Sequence, residues 1–128
     1  MNLHEWTKIF LKQRDLVKRE IKSIEETING FCITKKDGQQ NTVLVVEELT
    51  NTITEEVNYI ICLNTKKNTK YLADKWEDFA KHEQLMVVFA NPVTNEKWLI
   101  KPHHHNKIAD KKSLQQGLMA MYDAISAI

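Results

Sequence analysis

The sequence predicts a single α+β domain over residues 1–128, in which a mostly antiparallel sheet of about five strands packs against three helices. Three observations predict this class: an apolar stripe of helical period near the N-terminus, continuous apolar runs of strand length in the middle, and capped helical segments around them. The predicted order is helix, three strands, helix, two strands, helix. A chain of 128 residues is the usual size of one domain.

The first predicted element is one long helix over residues 2–28, because apolar side chains recur there at steps of three or four with one gap at Gln13. Asn2 begins it as a cap, and Asn29 followed by Gly30 is typical of a helix end. At about 1.5 Å per residue the helix would be roughly 40 Å long, which exceeds the core of a domain this small. Homo-oligomerisation through its uncovered part is therefore predicted.

The middle of the chain is predicted to form the sheet. Asp37 and Gly38 supply the turn of a hairpin, because glycine adopts the positive φ angles of tight reverse turns. Residues 43–46 and 59–63 are continuous apolar runs, so we expect them at the centre of the sheet with both faces covered. Because the links between neighbouring strands look too short for crossovers, most pairs are predicted to be antiparallel. Two later strands are predicted at residues 85–90 and 97–100.

Two further helices are predicted from apolar spacing. The first covers residues 69–82 and directs Leu72, Trp76, Phe79 and Ala80 inward. The last begins at Ser113, with Gln116 as its capping partner. Its predicted inward side chains are Leu114, Leu118, Met121, Tyr122 and Ile125.

The overall charge of the chain does not indicate a particular class of binding partner. Eighteen Lys plus Arg against seventeen Asp plus Glu give a net charge of +1, which does not indicate nucleic acid or an anionic membrane as partner. Cys32 and Cys62 are too few for a disulfide framework and predict buried thiols in a cytoplasmic protein. No apolar run approaches the roughly 18 residues that cross a bilayer, so no membrane role is expected.

A lysine cluster at the start of the second helix is one candidate binding site. Lys66, Lys67 and Lys70 add positive charge where free backbone N–H groups are already positive, a combination that suits a phosphate or carboxylate. The alternative is that acidic side chains of the sheet screen these lysines within the molecule. The side chains expected to do so are Glu47, Glu48, Glu55 and Glu56.

Two families share this element order. Helix, three strands and a helix that opens with Lys66, Lys67 and Lys70 is similar to the double-stranded RNA-binding domain, which implies phosphate contacts by those lysines. The small residues and Gly-rich approach of that family are absent here. The order also resembles the core of restriction-endonuclease-type nucleases, but residues 62–66 of the third strand lack the carboxylate that would hold Mg²⁺, so that activity is not implied.

The run of three histidines after Pro102 is a second candidate site. In an extended segment His103 and His105 would point to the same side and could share a metal, although a third ligand is missing nearby. Residues 96–112 carry five lysines against two acids and form the most basic segment. Its candidate binding residues are Lys101, His103, His105 and Lys107.

The function predicted from these features is a non-catalytic, protein-binding domain of adaptor or inhibitor type, without a cofactor. Its partner is a second copy or an acidic protein that meets residues 101–112. The first alternative is a nucleic-acid or phosphate binder that uses the lysine cluster. The weaker alternative is a metal-dependent hydrolase around the histidines. No serine or cysteine has the local setting of an activated nucleophile, and no bound metal is predicted.

Overall fold

The computed structural model describes residues 1–50, 57–106 and 110–128. Within them the chain forms five helices and six strands. In chain order these are α1 (Leu3–Lys18), β1 (Ile21–Thr27), β2 (Gly30–Lys35), β3 (Gln40–Val45), β4 (Val57–Leu63), α2 (Lys66–Asp74), α3 (Trp76–Ala80), β5 (Met86–Asn91), β6 (Glu96–Ile100), α4 (Pro102–His105) and α5 (Lys111–Asp123).

The six strands belong to one sheet in the order β1-β2-β3-β4-β5-β6. The β1–β2, β2–β3 and β5–β6 pairs are antiparallel, whereas β3–β4 and β4–β5 are parallel. The α+β class is confirmed, but the prediction of a mostly antiparallel sheet of about five strands is wrong, since the sheet is mixed and has six. Residues 46–56 give the chain enough length to return to the same edge before β4, and α2 with α3 does so before β5.

The predicted long first helix is two elements. Arg19 adopts the left-handed conformation, with φ 51°, and ends α1. The Asp15 carboxylate then accepts hydrogen bonds from the next two N–H groups and turns the chain into β1. Ile28, which the helical stripe required on the packed face, is 98% exposed. The overlong helix on which the predicted self-association depended is therefore absent.

Helices cover both faces of the central strands. On one face, α1 packs its buried side chains, among them Trp6 and Phe10, against the middle of the sheet. On the other face, α2, α3 and α5 pack against β4, β5 and β6. The prediction that residues 59–63 lie inside the sheet is confirmed for Ile60, Ile61 and Cys62, and every residue of β5 is buried too. In the run 43–46, Val43 is buried and the other three side chains are half-buried.

The β2–β3 turn follows the sequence prediction, and Gly38 there has φ 91°. Gly30, predicted to end a helix, instead opens β2. A Cβ atom on Gly30 would overlap the backbone carbonyl oxygen of Val43 on β3. Glycine is needed at this position because the two strands approach closely there.

The outer strand β1 is irregular. Its pairing with β2 shifts in register between Ile21 and Ser23, which marks a bulge. Further along, Glu25, Cys32 and Thr42 lie side by side across β1, β2 and β3, and none of them is buried. This part of the second face is therefore polar and open to solvent, as antiparallel sheets commonly are.

The helices after β4 and β6 differ in detail from the prediction. The helix expected over residues 69–82 is the pair α2 and α3, which meet at Lys75, although its four predicted inward side chains are all buried. α5 starts at Lys111 rather than at Ser113, because the Asp110 carboxylate caps it by accepting from the Ser113 N–H at 2.8 Å. Met121 was predicted to be buried and is 42% exposed.

Candidate functional site

The lysine cluster lies where β4 passes into α2. The Thr65 side chain caps α2 by accepting a hydrogen bond from the Asn68 N–H at 3.1 Å. Asn68 is buried, and its amide group donates to the carbonyl oxygens of Glu47 and Leu63 while accepting from the Leu49 N–H. These bonds fix the first turn of α2 to the loop after β3 and so set the direction of the lysines.

The three lysines divide into two groups. Lys67 lies 3.3 Å from a carboxylate oxygen of Glu48, as the screening alternative predicted for one of these acids. Glu55 and Glu56 lie outside the described residues. Lys66 and Lys70, one turn apart on α2, both line a groove between α2 and α5. In the described part of the chain, no carboxylate lies within 4.0 Å of either ammonium group.

This α2–α5 groove has an apolar floor and a polar rim. Its volume is about 230 Å³. Leu118 is buried at its base, with the half-buried Ala73 and Met119 beside it. The lining residues are Lys66, Thr69, Lys70, Ala73, Asp74, Gln115, Leu118 and Met119.

A second, more polar hollow of about 400 Å³ continues the groove towards α3. Ala73 and Asp74 line both hollows, so the two are adjacent. Trp76 is buried in its wall and donates its indole N–H to the Asn106 side chain at 3.0 Å. Glu77 and Asp78 complete an acidic rim at this end.

The histidine segment does not have the predicted extended form. Pro102 begins the single helical turn α4, in which residues two apart point to nearly opposite sides, so His103 and His105 do not share a side. The His103 ring donates from Nδ1 to the carbonyl oxygen of Ala80 at 2.9 Å, which ties α4 to α3. His105 and Lys101 are exposed, and Lys107 lies outside the described residues. Residues 1–50, 57–106 and 110–128 contain no group of three side chains able to hold a metal ion.

The cysteines are free thiols on different parts of the sheet. Burial without a polar partner raises the pKa of the Cys62 thiol well above its usual value, as its place in an apolar run predicted. Cys32, expected to be buried, is only half-buried on the polar face of β2. Cys62 is therefore an unreactive core residue at neutral pH.

Two buried asparagines mark the carboxyl ends of the parallel strands. Asn64 follows β4 and Asn91 ends β5, and they are 0% and 3% exposed. The carbonyl oxygen of Asn64 accepts from the Ile128 N–H at 3.2 Å. In open sheets with parallel strands, this edge is where ligands commonly bind. Here the segment that follows α5 occupies it.

Side-chain amides hold that segment in place. The Asn64 amide donates to the carbonyl oxygens of Tyr122 and Ser126, both at 3.3 Å, and accepts from the indole N–H of Trp98 at 2.8 Å. The Asn91 amide donates to the Ser126 carbonyl at 3.1 Å. The carboxyl edge is therefore closed by the chain itself, and every hydrogen-bonding atom of Asn64 has a protein partner.

Two carboxylates support the same region. Hydrogen bonds from Ser126 and Thr94 hold the pKa of Glu96 below its ordinary value. Hydrogen bonds from the Ser113 backbone and side chain likewise lower the pKa of Asp110 at the start of α5. In their charged form, Asp110 stabilises the start of α5 and Glu96 holds the segment that follows it.

The residues that surround the lysines in this site do not follow from the sequence pattern. Gln115 and Met119 complete the groove, and only the contact between α2 and α5 brings them to Lys66 and Lys70. Asp74 lies one turn after Lys70 on α2 itself. Asn64 and Asn91 can be recognised in the sequence, because each is an amide side chain directly at the end of a continuous apolar strand. A polar residue at that position faces the crevice beyond the sheet edge.

No protein-family model matches this chain, and neither a curated protein nor a solved structure does. The element order behind both family resemblances is also different, because four strands precede the lysine-bearing helix and the last two of them are parallel. Within the described residues, no helix combines the length and the apolar character that crossing a bilayer requires.

Proposed function

We propose that this protein is a non-catalytic protein-binding domain, of adaptor or inhibitor type, and that the α2–α5 groove is its binding surface. The observation that carries the proposal is the apolar floor of Ala73, Leu118 and Met119 beside the charged rim formed by α2. An apolar centre with a polar rim is the usual anatomy of a protein interface. The groove's continuation past Trp76 gives it the length to accept a helix or an extended segment.

The charges of the rim indicate the chemistry of the partner. Lys66 and Lys70 are exposed and lack a carboxylate within 4.0 Å among the described residues, so acidic groups of a partner can pair with them. Asn106, which belongs to the segment predicted to meet an acidic partner, lines the other end of the groove beside Glu77 and Asp78. Electrostatic complementarity of this kind favours fast and selective association.

Two side chains of types that often perform catalysis, Cys62 and His103, have structural roles, and this supports a binding function. The Cys62 thiol is buried in the core, and its pKa is raised. One ring nitrogen of His103 is used in a bond to Ala80.

A photo-crosslinking amino acid at Gln115 tests the proposal in the source cells. Gln115 lines the groove, so we expect it to form a covalent adduct with a protein partner. Reversing the charge of the rim with Lys66→Glu and Lys70→Glu should weaken the interaction by about 10-fold, because both lysines face the partner's acidic groups. The yield of the adduct on a gel and its identity by mass spectrometry are the measurements.

The matched control places the same crosslinker at Gln116, the next residue of α5, which is exposed and does not line the groove. Adducts specific to Gln115 support the proposal. Equal labelling from both positions, or no protein adduct from Gln115, refutes it.

A second candidate is a nucleic-acid or phosphate binder, and the exposed ammonium groups of Lys66 and Lys70 beside the α2 N-terminus favour it. Two observations weigh against a strong site there. Lys67 is paired with Glu48, and the first turn of α2 already receives a cap from Thr65.

Salt dependence tests this second candidate. If the three lysines contact phosphates, the affinity for a DNA or RNA duplex should fall steeply with salt. The variant with Lys66, Lys67 and Lys70 all changed to Gln should then reduce the slope of log affinity against log salt by about 2 to 3. An unchanged slope excludes the lysine cluster as a phosphate-binding site.

A further inference from the structure

Charge changes sign along the exposed face of α2 and α3. Lys66 and Lys70 lie in the first half of this face, and Asp74, Glu77 and Asp78 lie in the second. Steps of three and four residues keep them on one side of the helical path. All five line the groove and its continuation, so the change of sign runs along the binding surface itself.

The break between the two helices does not disturb this face. Lys75 has φ −107° and ψ 21°, and its N–H still donates to the Tyr71 carbonyl at 3.0 Å as in a helix. Its own carbonyl accepts from the Asp78 N–H at 3.0 Å. Hydrogen bonding along the backbone therefore continues across the junction of α2 and α3.

The charges are antisymmetric about Leu72. Lys70 and Asp74 lie two residues on either side of it, and Lys66 and Asp78 lie six residues on either side. A two-fold axis at the level of Leu72 would set α2–α3 of one copy antiparallel to that of another. Lys70 would then face the partner's Asp74, and Lys66 would face the partner's Asp78, so that each pair forms twice.

The acidic side chains of this face form few ion pairs within the described part of their own chain. Among the described residues, neither Asp74 nor Glu77 has an ammonium group within 4.0 Å, and Asp78 has only Lys81 at 3.9 Å, with both side chains exposed. Ala73 follows Leu72 directly and so lies close to the two-fold axis. Its small side chain permits the close approach of two packed helices, at about 8 to 10 Å between axes.

We propose that the α2–α5 groove binds the same surface of a second copy of the chain. A two-fold axis at the level of Leu72 relates the two copies, so that opposite charges face each other. This inference rests on the proposed function, because it names the partner of that site. It replaces the first helix as the basis for a homo-oligomer. A two-fold interface requires a surface that complements itself, and the antisymmetric charges give this surface that property.

A charge-exchange experiment tests the pairing. An acidic variant carries Lys66→Glu and Lys70→Glu, and a basic variant carries Asp74→Lys and Asp78→Lys. Analytical ultracentrifugation from about 1 µM to 1 mM should show dimerisation of the wild-type chain, and at least about 10-fold weaker self-association of each variant, because like charges then face each other. An equimolar mixture of the two variants should dimerise again, because every facing pair is once more opposite in sign.

A matched control changes Lys12 and Lys36 to Glu, which alters the net charge as in the acidic variant but at exposed positions outside the groove. This control should dimerise like the wild type, and circular dichroism confirms folding of every variant. If the wild-type chain stays monomeric up to about 1 mM, the inference is overturned. A mixture of the two variants that stays monomeric overturns it as well. If Gln115 crosslinks another protein while the wild type is monomeric, the binding function stands and self-pairing fails.

Discussion

Asn64→Ala is expected to lower the free energy of unfolding by about 3 kcal/mol, because it removes the hydrogen-bonding partner of a buried indole. Trp98 is 4% exposed, stacks on Phe89 with ring centroids 4.1 Å apart, and donates its N–H to Asn64 alone among the hydrogen bonds of the described residues. The same change removes both amide bonds to the segment after α5. Urea unfolding measures the loss.

The matched control is Asn106→Ala. Asn106 also accepts a hydrogen bond from an indole, that of Trp76, but it is exposed, so water can take its place. We expect this variant to lose less than about 1 kcal/mol. Similar losses for the two variants would contradict the role assigned to Asn64 in closing the carboxyl edge of the sheet.

Gly30→Ala is the second change with a large expected effect, a loss of about 3 kcal/mol. The added Cβ meets the carbonyl oxygen of Val43, which belongs to the backbone of β3 and cannot rotate away as a side chain does. The two strands must separate, and the pairing of β2 with β3 weakens. Thermal or urea unfolding measures the change in stability.

Gly117→Ala provides a control of opposite sign. A Cβ at Gly117 meets no atom within 4 Å, and the residue lies inside α5. Alanine forms helix more readily than glycine, so this variant should gain about 1 kcal/mol. A stabilised or unchanged Gly30→Ala variant would show that the β2–β3 approach is looser than described.

Local patterns predicted the interior of the fold well. The apolar runs that form β4 and β5 could be recognised because strands buried on both faces need no alternation. The turn at Asp37 and Gly38 was equally clear, since glycine supplies its positive φ of 91°. The helical periodicity gave a wrong prediction over residues 2–28, because the apolar positions of α1 and β1 happen to continue a single stripe. Only the left-handed Arg19 separates them, and arginine gives no sequence signal for that conformation.

The orientation of the strand pairs and the geometry of the candidate site depend on tertiary contacts that the sequence does not show. Whether β3 and β4 run parallel or antiparallel does not follow from the composition of these strands. The lysines of the site were recognised, but their division was not: Lys67 turns to Glu48, while Lys66 and Lys70 face the groove. Leu118 and Met119 of the apolar floor come from α5, far along the chain from α2, so the groove follows only from tertiary packing.

The bulge in β1 has a consequence for behaviour at high concentration. An outer strand with regular spacing offers a row of free N–H and C=O groups onto which a strand of another molecule can add, and repeated addition produces fibrils. The register shift between Ile21 and Ser23 interrupts that row, and the charged Lys22 projects from it. This margin of the sheet therefore resists edge-to-edge growth.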